Sequence, residues 1–431
     1  MRYLISLLSL ACAAVARPAE RDTFSVPTKD SFYHAPWDLA YHQPGHVFRS
    51  RSFISRYTGN VSESYQYYYR TNDNLNKPIG TVGTVFVPKN PSSPPKILVF
   101  NSPEDAVNVD CGPSWVWVQG TPTRDTASNE LYLEWALSQG YYLVNTDAEG
   151  PNGAWLVGKI EGHSMLDGVR AAIDLLHLPQ RTPIAMFGYS GGAHTTVWAS
   201  SLAASYAPDL NIVGAAYGGT PVDLTATLES VNGTVESQLA VLGVLGLAKG
   251  YKSIQTVLPS ILTPLGKNIT AQLSDLCPSS TSYQIIYYGS IDPLFTCNPL
   301  NVPAIANVLR QESLLTNVTG HDIPVPKFPR FQFQGKLDEV VPFSAVDQYV
   351  EQQCNKGADI RFVAFNGTSH FSAELGGLVA SLQFLGDALE DRLQKVKCGS
   401  PIPAPSIGSA EADAFLGPEL AAIAKNVMLT G

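Results

Sequence analysis

Charge is what this 431-residue chain has least of: Asp, Glu, Lys and Arg make up 15% of it, while hydrophobic residues make up 45%. Soluble domains usually carry about 25% charged residues, so the composition predicts a large core and a sparingly charged surface. The 28 basic and 37 acidic residues leave a formal net charge of −9, and the basic ones form no cluster. That argues against a nucleic-acid partner, whose phosphates need a basic patch. The chain also lacks His-Glu-x-x-His, Cys-x-x-Cys, a dinucleotide-binding Gly-x-Gly-x-x-Gly and a phosphate-cradling Walker loop. No metal and no nucleotide cofactor is therefore expected. His34, His42 and His46 lie close together, but in a loop-like arm with no carboxylate at ligand spacing. Beyond the N-terminus the most apolar stretch, Leu239 to Ala248, is too short to cross a bilayer.

The N-terminus has the layout of a secretory leader. Arg2 is followed by a mostly apolar run from Tyr3 to Ala11, and Ala14-Val15-Ala16 is an A-x-A cleavage signal. An extracellular destination fits the five N-x-S/T sequons at Asn60, Asn232, Asn268, Asn317 and Asn366. Cys12 leaves with the leader. Cys111, Cys277, Cys297, Cys354 and Cys398 remain, enough for two disulfides and one free thiol, with the connectivity open.

Residues 17–52 carry no clean hydrophobic period and read as an arm laid on the domain. Tyr65–Arg70 and Gly80–Pro88 read as an antiparallel pair. A strand at Lys96–Phe100, a helix at Asn129–Gln139 and a strand at Tyr141–Thr146 follow. Met165, Val169, Ala172, Ile173 and Leu176 then mark one face of a helix, and Thr182–Phe187 is the next strand. This alternation predicts an α/β fold with a doubly wound, mostly parallel sheet. After a strand at Asn211–Ala216 the rhythm stops for about a hundred residues of apolar, Gly/Ser/Thr-rich helical pattern, which suits a helical cap inserted over a site. Strands at Phe331–Gln334 and Ile360–Phe365 and a helix from Phe371 to Arg392 complete the core. The expected organisation is a leader at 1–16, a first core part with its arm at 17–220, a cap at 221–326, a second core part at 327–398, and a linker and tail at 399–431.

Gly188-Tyr189-Ser190-Gly191-Gly192 supplies the chemistry. A Gly-x-Ser-x-Gly between a strand and a helix is the nucleophile elbow of α/β-hydrolases. Its glycines let the turn close, and the Gly191 N–H lies open to a developing oxyanion. In this fold the acid and then the histidine follow the serine along the chain, each in a loop after a strand. His370 follows Ile360–Phe365, whereas His321 precedes a Pro-rich stretch and His194 sits inside the elbow helix. Asp338 follows Phe331–Gln334 and is preferred as the acid over Asp292, which lies in the cap interval after the strand-like Tyr283–Tyr288.

The combined motifs resemble the fungal secretory lipases of the Candida antarctica lipase A type, from about Phe32 to Cys398. The resemblance rests on Pro44-Gly45 with Arg49-Ser50-Arg51, Glu104-Asp105, Asp147 with Glu149-Gly150-Pro151, and Leu166-Asp167-Gly168-Val169-Arg170. It continues through Ser190, Gly218-Gly219-Thr220-Pro221 and Asp338-Glu339 with Val341-Pro342. It implies an α/β-hydrolase with a helical lid that hydrolyses carboxylic esters, often triacylglycerols, without a cofactor. It also implies a Ser190–Asp338–His370 triad and an oxyanion hole at Asp105 and Gly191. Asp105 lies just past Lys96–Phe100, where the second donor should be. The cysteine pairs it implies are Cys111 with Cys277 and Cys354 with Cys398, leaving Cys297 free.

The expected partner is a lipid or small ester, a lipid being met at a lipid–water interface. Two alternatives stand beside a lipase. One is an esterase that deacetylates small molecules such as secondary metabolites. The other is a hydrolase-fold binding protein without activity, against which the intact Ser, Asp and His in the right order argue.

Overall fold

The computed structural model describes residues 24–55, 59–119, 124–277 and 286–430. The expected leader at 1–16 and its cleavage signal lie outside them. A nine-stranded sheet forms the centre, in the order β1-β2-β3-β5-β4-β6-β7-β8-β9. Its first three strands are β1 (Val47–Ser52), β2 (Val61–Asn72) and β3 (Pro78–Pro88), joined antiparallel to one another and, through β3, to β5 (Tyr142–Thr146). From β5 onward every pair is parallel: β4 (Ile97–Asn101), β6 (Pro183–Tyr189), β7 (Asn211–Gly218), β8 (Arg330–Gly335) and β9 (Ile360–Phe365).

Strand side chains alternate between two cores. On β4, Ile97 and Val99 enter one hydrophobic cluster and Leu98 and Phe100 the other. Burial on both faces is why these strands are short continuous apolar runs. Helices α1 (Pro113–Gln119) and α2 (Arg124–Ser138) precede β5, while α3 (Gly158–Leu175) and α4 (Gly191–Tyr206) flank β6.

Between β7 and β8 the chain forms α5 (Leu224–Val231), α6 (Gln238–Gly250), α7 (Lys252–Ile261), α8 (Pro264–Ser274) and α9 (Pro303–Gln311), and no named strand among the described residues. Of the strand-like Tyr283–Tyr288, only Ile286–Tyr288 is described, and it is not a strand. After β8 come α10 (Phe343–Asn355), α11 (His370–Leu389) and α12 (Ala410–Thr430).

Two segments differ from the sequence reading. β1 lies inside the arm that carries no hydrophobic period. Its Arg49 guanidinium stands 4.3 Å over the Tyr68 ring, and its Arg51 guanidinium 4.1 Å over Phe32 and 3.8 Å over Phe24. Cation–π stacking replaces aliphatic packing there, so a period-2 apolar search misses the strand. The tail is likewise a docked helix: α12 bends at Gly417 (φ 73°), just before Pro418, and buries Ala412, Leu416, Leu420, Ala421 and Ala424 in the cluster that holds Trp135 of α2.

Disulfides join Cys111 to Cys277 across 166 residues and Cys354 to Cys398 across 44, and Cys297 is free and exposed. Opening such loops in a small secreted domain typically costs about 2–5 kcal/mol. Cys354→Ser and Cys111→Ser are each expected to lower the melting temperature, and Cys297→Ser to leave it unchanged. Thermal denaturation of the three variants checks this; a loss in Cys297→Ser alone contradicts it.

Candidate active site

The carboxyl ends of β4, β5, β6, β7, β8 and β9 share one edge of the parallel sheet, and the expected site residues converge there. Ser190 follows β6 directly and caps α4, with φ 53° and ψ −120°. That left-handed conformation costs a non-glycine residue energy and persists only where its surroundings hold it. Here the Ser190 N–H donates to the Gly218 carbonyl at 3.0 Å, and the Ser190 carbonyl accepts from the His194 N–H at 3.0 Å. The elbow glycines are a steric requirement. A Cβ on Gly188 would lie 2.0 Å from the Gly192 carbonyl oxygen, and one on Gly192 2.0 Å from the Asn101 carbonyl oxygen. Gly191 is the first residue of α4, where the N–H groups have no intrahelical partner and point at whatever anion stands before the helix.

His370 Nε2 lies 2.9 Å from Ser190 Oγ, and His370 Nδ1 lies 2.8 Å from Asp338 Oδ2. An acceptor carboxylate at Nδ1 fixes the tautomer: Nδ1–H donates to Asp338, and the Nε2 lone pair is left for the serine hydroxyl. Asp338 is itself held. Its Oδ2 also accepts from Gln334 Nε2 at 2.6 Å, and its Oδ1 accepts from the N–H groups of Val340 (3.0 Å) and Val341 (2.7 Å). His370 begins α11, where its N–H donates to Glu339 Oε2 at 3.0 Å and its carbonyl accepts from Tyr189 Oη at 2.5 Å. Burial opposes charging the imidazole, but the adjacent Asp338 charge and hydrogen bond outweigh it and hold its pKa above the ordinary histidine value. The neutral ring needed to accept a proton is therefore lost on the acid side.

Asp105 lies in the loop after β4 with φ 46°, a left-handed conformation that aspartate tolerates better than most residues. Its Oδ1 approaches within 2.0 Å of where a Gly191 Cβ would stand. Beside it is a group of buried carboxyls that sequence reasoning did not assign. The Glu149 N–H bonds the Glu104 carboxyl and the Ala106 N–H bonds the Glu149 carboxyl, so the β4 and β5 loops hold each other. Burial first, then repulsion from Asp147 on Glu104 and from Glu104 on Glu149, drives both pKa values well upward. Burial also pushes Asp147 up to about 7, against hydrogen bonds from the N–H and hydroxyl of Ser114. It pushes Glu312 up to about 7 as well, despite hydrogen bonds from Tyr251 and from the Gly158 N–H. The repeated acidic residues in Glu104-Asp105 and Asp147-x-Glu149 were the available signal, but sequence does not reveal burial.

The sign of the consequence follows from linkage. A carboxyl whose folded pKa is raised binds its proton more tightly when folded. Its stabilisation is full below the unfolded value of about 4 and is lost as pH rises through the folded value. Thermal stability is therefore expected to fall between about pH 4 and the value near 7 of Asp147 and Glu312, while kcat/KM rises with pH until His370, held above the ordinary histidine value, has deprotonated. Glu312→Gln should flatten part of the stability slope. Melting curves from pH 4 to 8 check this, and a stability that climbs with pH contradicts it.

The other histidines stand elsewhere. His194 is buried, with Nδ1 2.7 Å from Glu161 Oε2 and Nε2 accepting from Trp198 Nε1 at 3.1 Å, and His321 is exposed. His42 stacks on His46 at 3.9 Å, and among the described residues no group of three or more His, Cys, Asp or Glu could hold a metal ion. Asp292 begins a short 3-10 helix and is exposed, and the carboxylate at His370 Nδ1 is that of Asp338. Asn268, Asn317 and Asn366 are exposed, whereas Asn60 and Asn232 are half-buried, the Asn232 Oδ1 accepting from the Ile291 N–H at 2.9 Å.

Residues 119–396 match the secretory lipase family. This chain belongs to that family. It is similar to the crystal structure of Candida antarctica lipase A in its closed state, with a TM-score of 0.88 and 37% identity, covering 94% of this chain and 96% of that one. It is 32% identical to a secreted triacylglycerol lipase of Malassezia furfur, over 83% of this chain and 75% of the relative. It is 34% identical to the trichothecene C-3 esterase of Fusarium sporotrichioides, over 85% of this chain and 84% of the relative. The fold of this secretory-lipase family member is the α/β-hydrolase fold. The protein is a carboxylic ester hydrolase, acting on lipid or other ester substrates. Among the described residues no helix is long and apolar enough to cross a membrane.

Proposed function

We propose that the protein is a secreted lipase that cleaves acylglycerol esters through an acyl-enzyme on Ser190. The observation that carries this reading is the hydrogen-bonded chain Ser190–His370–Asp338 at the strand ends. Ser190 Oγ attacks the ester carbonyl carbon while its proton passes to His370 Nε2, and Asp338 holds the imidazolium that forms. The carbonyl oxygen becomes an oxyanion, received by the N–H groups of Gly191 and Asp105. The intermediate collapses with release of the alcohol, which takes the proton from His370. Water then gives its proton to His370 and attacks the acyl-enzyme, and the second collapse frees the carboxylic acid and restores Ser190.

Residues 221–326 serve as the cap, and its underside binds the acyl chain. In support, Gly246 of α6 packs so closely on the loop after β5 that a Cβ there would lie 2.5 Å from the Trp155 carbonyl oxygen. Leu239 and Leu245 of the same helix are only partly buried. Cleavage of the leader after residue 16 and glycans on the exposed sequons Asn268, Asn317 and Asn366 complete the picture of an extracellular enzyme. The names of the relatives support lipase and small-molecule esterase alike, so the test is substrate length. Each buried methylene adds about 0.8 kcal/mol, so kcat/KM should climb from p-nitrophenyl acetate to p-nitrophenyl octanoate, and emulsified trioctanoin should be hydrolysed. Leu245→Glu should depress the octanoate far more than the acetate. A strict acetate preference would transfer the proposal to a deacetylating esterase.

A further inference from the structure

The loop after β5 carries a polar group that the mechanism above does not use. Trp155 is 7% exposed, and its Nε1–H, itself out of contact with solvent, has no hydrogen-bond partner among the described residues. An indole nitrogen can only donate, so only an acceptor can satisfy it. Leaving a buried donor unmet is costly, and buried N–H groups without a partner are rare in folded proteins. The place of this one is informative. A Cβ on Gly191 would stand 3.5 Å from Trp155 Nε1 and 2.0 Å from Asp105 Oδ1. The indole nitrogen thus lies beside the first residue after the nucleophile, on the side where Gly191 carries no side chain. With standard bond lengths, that puts it within about 6 Å of the Gly191 nitrogen. The ring is fixed there: α6 is seated on the Trp155 backbone, and the side chain belongs to the main hydrophobic cluster.

We infer that the Trp155 Nε1–H is a third donor to the reacting ester, which meets an oxygen of the tetrahedral intermediate alongside the N–H groups of Gly191 and Asp105. An ester brings only acceptors to this place, its carbonyl and alkoxy oxygens, and both gain negative charge as the reaction proceeds. A donor without a partner in the free enzyme gains one when the substrate reacts, so its contribution falls on the transition state. The surrounding apolar packing strengthens such a contact by excluding water. This role rests on the Ser190 mechanism proposed above.

Trp155→Phe removes the N–H and keeps an aromatic ring. Incorporating benzothienylalanine at position 155 replaces only the N–H, by sulfur, and preserves the ring shape if phenylalanine packs poorly. Wild type, both variants and Ser190→Ala are compared on p-nitrophenyl butyrate and by melting temperature. Loss of one oxyanion donor costs about 100–1,000-fold in kcat elsewhere. A flanking third donor is expected to be worth about a tenfold to hundredfold fall in kcat, with KM little changed, the rate of phosphonate inactivation lowered in parallel, and the melting temperature equal or higher. Full kcat in the benzothienylalanine protein, while Ser190→Ala is inactive, overturns this inference and leaves the nucleophile assignment standing. Activity in Ser190→Ala overturns both.

Discussion

Ser190→Ala is expected to lower kcat for ester hydrolysis by about a million-fold, the scale found when the serine of a triad is removed. The variant should fold as the wild type does, because the hydroxyl is used by His370 alone among the described hydrogen bonds and the elbow is held by backbone contacts. What remains is the activity of a pocket with an oxyanion hole and no nucleophile, still above that of water. Circular dichroism and a p-nitrophenyl butyrate assay on the same sample check it. A loss of tenfold or less would mean that another group attacks the ester.

Asp338→Asn has the next largest effect, about ten-thousand-fold in kcat. The cause is the proton inventory around this carboxylate. Oδ1 accepts from two N–H groups and Oδ2 from Gln334 Nε2 and His370 Nδ1. An amide has one acceptor oxygen. If that oxygen keeps the Val340 and Val341 bonds, its NH2 faces Gln334 and His370, and His370 turns to the tautomer with Nε2–H. That nitrogen can no longer take the Ser190 proton. If the amide flips, two buried N–H groups lose their acceptor, at about 1–3 kcal/mol each. The prediction is therefore the full kcat loss in the first orientation, and in the second a smaller loss, from an imidazolium without its carboxylate, together with a lower melting temperature. A variant with near-normal kcat would show that Asp338 is a structural carboxylate.

The site was legible where its chemistry is written in local pattern. Ser190 announces itself by the glycines that let the elbow close, and His370 and Asp338 by following strands in the order the fold requires. Asp105 rests on family resemblance together with its place just past Lys96–Phe100, and the cysteine pairs on resemblance alone, since nothing in five cysteines fixes a partner. The burial of the carboxyls and the unmet donor of Trp155 were not legible. Their significance lies in what surrounds them, and Glu149 reads the same in sequence whether it faces water or Glu104. For the same reason β1 was missed, because its arginines look solvent-facing until their rings are in view. The α12 segment reads in sequence as a short amphipathic tail, and what its apolar face packs against, α2 and α11, is visible only in the fold.

The central claim is that Ser190 is the nucleophile, and covalent capture tests it most directly. Protein treated with an alkyl fluorophosphonate, digested and mapped by mass spectrometry, should carry one phosphonyl adduct, on the peptide containing Ser190, with activity lost in step with its formation. Adduct formation on a different residue, or complete loss of activity with Ser190 unmodified, would contradict the account.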